Sequence, residues 1–61
     1  MKIKYNVYYK DYEHKKANEI GSLIDFWEGI DFPRGLSLAR KQFGTLVKDP
    51  NAIFVLARKE K

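Results

Sequence analysis

The first ten residues alternate without a break. Met1, Ile3, Tyr5, Val7 and Tyr9 fall on one side of an extended chain, and Lys2, Lys4, Asn6, Tyr8 and Lys10 fall on the other. A period of two, with β-branched and aromatic residues on the apolar side, predicts a half-buried strand. The charged stretch from Asp11 to Asn18 reads as a turn or exposed connection.

Residues 19–28 fit two periods. As a helix, Ala17, Ile20, Ile24 and Trp27 share a side with Leu23. As a strand, Ile20, Ser22, Ile24 and Phe26 line one face, and Gly21, Leu23, Asp25 and Trp27 the other. The strand is preferred, because Gly21 and Ser22 weaken a helix interior while Ile24, Phe26 and Trp27 suit a sheet. Two glycines and a proline then mark Gly29–Gly35 as a loop. From Leu36 onward, Leu36, Ala39, Phe43, Leu46 and Val47 repeat with the helical period, opposite Ser37, Arg40, Lys41, Gly44 and Lys48. Asp49-Pro50-Asn51 ends that helix, since proline disfavours helical geometry in the residue before it. Ala52–Arg58 is apolar on both faces for most of its length and reads as a strand at the centre of the sheet.

The pattern therefore predicts one small α+β domain over residues 1–61, in the order β-β-α-β, with one amphipathic helix on a short sheet. The alternative order is β-α-α-β. In either, Leu36, Phe43, Leu46 and Val47 pack on Ile3, Val7, Ile53 and Val55. A chain this short buries only about 60% of its unfolded surface, so nearly every large apolar side chain is needed for the core. One sheet face is left without a helix, and function or a partner is to be sought there, unless Trp27 and Phe32 cap it as a small second core.

The net charge of +4 is unevenly distributed. Residues 1–10 carry +3, residues 11–33 carry −4 and residues 34–61 carry +5. Segments of opposite sign suit contact with a polyanion, or with a second copy of the chain. There is no cysteine, hence no disulfide and no thiolate metal site. The longest apolar run, Ala52–Ala57, is about a third of a membrane-spanning length, and no apolar stretch after Lys2 and Lys4 resembles a secretory signal. A soluble, cytoplasmic protein without a membrane partner is expected.

Candidate chemistry is sparse. His14 is the only histidine, it stands beside Lys15 and Lys16, and it reads as an exposed loop residue rather than a general base. Asp25, Glu28 and Asp31 read as a solvated acidic stretch near Trp27, and no ligand spacing typical of zinc or calcium is present. Gly21, Gly29, Gly35 and Gly44 match no phosphate-binding fingerprint and are assigned to turns, Gly44 to close packing or a helix end. The expected protein is accordingly not an enzyme and needs no cofactor or metal.

Two constellations remain. Lys2, Lys4, Tyr8 and Lys10 on the polar face of the first strand, with Arg40 and Lys41 on the helix, form a basic surface with an aromatic ring for nucleic acid or another acidic surface. The same lysines would also serve as ordinary protection of an edge strand. Phe26, Trp27 and Phe32 beside the acidic middle form the alternative, a protein-interaction or homodimer surface.

Overall fold

The computed structural model describes residues 1–60; Lys61, part of the basic C-terminal block, lies outside the described residues. Three antiparallel strands and one helix follow in the order β1 (Lys2–Asp11), β2 (Lys16–Phe26), α1 (Phe32–Phe43) and β3 (Ile53–Glu60). Two short 3₁₀ turns, Gly44–Leu46 and Pro50–Ala52, join α1 to β3. This is the small α+β fold that the alternation and the helical period predict. Residues 19–28 are strand, as preferred, but β2 begins earlier, at Lys16, and only Tyr12–Lys15 turn between the first two strands. Lys15 closes this hairpin with a φ of 52°, a left-handed conformation that a lysine adopts at some cost.

The sheet order is β2-β1-β3. The expectation that Ala52–Arg58 lies at the centre is therefore corrected: β3 is an edge and β1 is the central strand. An apolar residue on both faces of a strand implied two covered faces, yet only Ile53 and Val55 are buried while Leu56 is 55% exposed on the opposite side. Ile3, Tyr5 and Val7 of β1 are fully buried and form the core with Leu23, Ala39, Ile53 and Val55, against which Leu36, Phe43 and Val47 pack.

The helix starts earlier than the glycines and proline suggested. Phe32–Gly35, assigned to a loop, form its first turn: Asp31 caps it by accepting from the Arg34 amide at 3.0 Å, and Pro33 stands where the missing N–H costs nothing. Gly35 is a packing residue, since a Cβ there would run into the ring of Tyr5. Gly21 likewise lies in β2 beneath Phe43, whose ring a Cβ would approach to 2.5 Å. Neither sits in a turn. Gly44 does mark the helix end, as its C-cap. Leu46, expected on the buried helix face, falls after that end and is 73% exposed.

The β1–β2 register shifts between Val7 and Tyr8: Val7 pairs with Gly21 and Tyr8 with Glu19, leaving Ile20 as the extra residue of a bulge. Simple alternation would align Ile20 with Ser22, Ile24 and Phe26. The bulge releases it to pack against the core instead.

Candidate nucleic-acid interface

The side of the sheet away from α1 carries no second layer among the described residues. Its composition follows from the register, because directly paired residues share a face. Across β2, β1 and β3 its rows read Phe26–Lys2–Glu60, Ile24–Lys4–Arg58, Ser22–Asn6–Leu56 and Glu19–Tyr8–Phe54, with Lys10 beside Ala17 beyond them. The central strand thus lays a column of lysines, interrupted by Asn6 and Tyr8, between flanks that mix apolar residues (Ile24 and Phe26 on β2, Phe54 and Leu56 on β3) with polar and charged ones (Glu19, Ser22, Arg58 and Glu60). Since β1 is central, these lysines do not protect an edge.

Tyr8 and Phe54 stack on this face with ring centroids 5.3 Å apart and planes 16° from parallel. The Lys10 ammonium lies 5.5 Å from the centre of the Phe54 ring. Past this pair, where the hairpin begins, Lys10, Tyr12, Lys15, Lys16, Ala17 and Phe54 surround an open depression of about 440 Å³ that Asp11 also borders. This depression, at the hairpin end of the face, is therefore bordered by three lysines and two aromatic residues together with the acid Asp11. At the other end Arg58 reaches Glu60 at 3.3 Å, an exposed pair that leaves the guanidinium largely in water.

Of the residues predicted for a basic surface, Lys2, Lys4, Tyr8 and Lys10 come together here. Arg40 and Lys41 do not join them: they are exposed on α1, which packs on the opposite face of the sheet. Phe54 and Arg58 complete the face and were not singled out by sequence. Their signal is the alternation of Phe54, Leu56 and Arg58 along β3, which becomes informative only once β3 is known to pair with β1.

Two acids of the middle segment, Asp25 and Asp31, are used differently from their sequence reading, while Phe26, Trp27 and Phe32 are exposed. Asp25 is not part of a solvated stretch: it is only 8% exposed and accepts from Arg34 Nε at 2.7 Å and Nη2 at 3.1 Å. The hydrogen bonds from Arg34 hold its carboxyl below the usual carboxylate range and raise the Arg34 guanidinium in turn. Arg34 also lies 3.9 Å over the ring of Trp27, so one face of that ring is occupied within the chain. Asp31 is committed as the helix cap, and its backbone clamps the Tyr5 hydroxyl, which donates to the Asp31 carbonyl and accepts from its amide, both at 3.1 Å. Phe26 belongs to the open sheet face. Phe32 borders a groove with Leu36 and Phe54, and also the depression beside Trp27.

At the hairpin, Asp11, Glu13 and His14 each bring one possible ligand atom within 4.8 Å of the others, a proximity that their spacing did not suggest. His14 Nδ1 and Asp11 Oδ2 are 2.7 Å apart, and the Asp11 carboxyl also accepts from the His14 amide at 3.2 Å. These bonds lower the Asp11 pKa from its ordinary value. With Lys15 and Lys16 following in sequence and the group largely in water, the trio is explained as the closure of the turn.

No protein-family model, curated protein or solved structure matches the chain. No helix among the described residues is long and apolar enough to cross a membrane.

Proposed function

We propose that the protein is a non-enzymatic binding module that takes single-stranded nucleic acid on its open sheet face, as an accessory or regulatory contact. The observation that carries this reading is the Tyr8–Phe54 stack, with Lys10 beside it, on an uncovered face that also carries Lys2, Lys4 and Arg58. Phosphates need cations, and unpaired bases gain about 1–3 kcal/mol each by stacking on aromatic rings. A flat sheet offers both without the depth that duplex grooves demand. The face carries Lys2, Lys4, Lys10 and Arg58 against Glu19 and Glu60, so it also repels a copy of itself and favours an acidic ligand.

Fluorescence anisotropy with a labelled mixed-sequence oligonucleotide tests the reading. Binding should weaken with salt at a logarithmic slope of about −3 if the four cations each neutralise a phosphate. Lys4→Glu with Lys10→Glu should abolish it, whereas Arg40→Glu with Lys41→Glu, on the far side, should reduce it only slightly. Absence of binding at low salt, or equal losses from both pairs, would reject the open face as the site.

A further inference from the structure

The sheet ends in two free edges, and they are built differently. β2 is interrupted by the bulge at Ile20, contains Gly21, and turns Asp25 inward to Arg34. Bulges and inward charges are the devices by which monomeric proteins keep edges from pairing. β3 has no bulge, and its charged residues, Arg58, Lys59 and Glu60, are confined to its C-terminal end. It pairs with β1 without a register shift from Ile53 to Glu60, and Ala52–Ala57 contains no charge and no proline. Its outer side borders an apolar groove of about 370 Å³ lined by Phe32, Pro33, Leu36, Phe54 and Val55. Such a strand is a template for another strand.

We infer that β3 pairs antiparallel with β3 of a second copy, about a two-fold axis perpendicular to the sheet, to form a six-stranded sheet with both helices on one side. Charge selects this occupant and this arrangement. Stacking of two open faces would press one lysine column against another. Edge pairing in antiparallel sense instead carries the two Arg58–Lys59 pairs to opposite ends of the interface. Because paired residues must share a face, even-numbered residues meet even-numbered ones. Centring the axis on Val55 then sets Phe54 against Leu56 and Ile53 against Ala57, so the apolar block of each strand covers that of the other. The interface is isologous and closes at two copies. It also joins the two open faces into one surface, but it does not depend on what those faces bind.

Sedimentation of the full chain without nucleic acid, from micromolar to millimolar concentration, is the deciding experiment. The mass should double with concentration. Leu56→Lys, at an exposed position, should weaken the dimer about tenfold or more. Ile24→Lys, also at an exposed position on the same face but in β2, should leave it unchanged, and circular dichroism should show both variants folded. In a mixed sample of labelled and unlabelled chains, isotope-filtered NOEs should connect Phe54 of one copy to Leu56 of the other. A monomer at millimolar concentration would overturn the inference, as would a dimer insensitive to Leu56→Lys or one whose intermolecular NOEs arise from β2.

Discussion

Tyr5 and Tyr8 lie three residues apart on β1, one beneath the helix and one on the bare face, and their surroundings differ in kind. Tyr5 is fully buried, its ring pressed under Gly35 and its hydroxyl bonded twice to the backbone of Asp31. It joins the central strand to the start of α1. Tyr8 is half-buried, stacks on Phe54, whose ring also meets the Lys10 ammonium, and lies opposite Glu19. The same side chain stabilises the fold in the first position and offers a surface in the second. Strand alternation alone produces this division, because successive side chains point to opposite faces.

The largest effect should come from breaking the buried side. Tyr5→Ala removes a filled volume and two hydrogen bonds, at a cost of about 3–5 kcal/mol. A chain of this length has a total stability of only about 3–9 kcal/mol, so thermal or urea denaturation should show the variant unfolded or nearly so. Gly35→Ala attacks the same contact from the helix, where the ring of Tyr5 has no room to retreat. Its cost is about 1–3 kcal/mol by overpacking, the opposite sign to the usual gain from replacing a helical glycine. A stabilised Gly35→Ala protein would show that the ring can shift.

On the open side the outcome should reverse. Tyr8→Ala should lower stability by only about 1 kcal/mol, through loss of the stack with Phe54, and should weaken oligonucleotide binding by about 1–3 kcal/mol in an anisotropy titration. A variant that loses stability in proportion to binding would erase the distinction between the two faces.

That distinction was legible in the sequence, since the period of two in Met1–Tyr9 separates Ile3, Tyr5 and Val7 from Lys4, Asn6 and Tyr8. What surrounds each face was not. Gly35 and Pro33 read as loop punctuation because both residues favour turns, yet one is a contact glycine and the other a first-turn proline. The two apolar faces of β3 read as two buried faces, although Leu56 is in water. Phe54 and Arg58 enter the candidate site only through pairing with β1, more than forty positions away along the chain, and no local period encodes that register. The hairpin trio of Asp11, Glu13 and His14 likewise depends on how Tyr12–Lys15 turn.

A smaller effect, visible only in acid, sharpens the buried side further. The carboxyl of Asp25 is held below its ordinary value by the bonds from Arg34, so the folded state resists its protonation. The resulting stability is fully present above the unfolded carboxylate value of about 3.9, and is lost as pH falls through the depressed folded value. Asp25→Asn should therefore be less stable than the native chain at neutral pH, with the gap narrowing through that acid window. Parallel stability curves from neutral pH into acid would show that Asp25 contributes packing rather than charge.

The smallest effect concerns Asn6, between Tyr5 and Tyr8 in function as well as in position. It stands in the middle of the open face between Ser22 and Leu56, and its Oδ1 is shut off from solvent while accepting no hydrogen bond from the described residues. An unpartnered acceptor costs stability that an apolar side chain of similar size does not, and valine is also the better strand residue. Asn6→Val should raise the denaturation midpoint, by an amount worth up to about 1 kcal/mol. If the amide is there for the ligand, the same variant should bind the oligonucleotide more weakly while folding more tightly, dissociating stability from binding at a single residue. Unchanged binding in the stabilised variant would confine the interface to the aromatic stack and the cations around it.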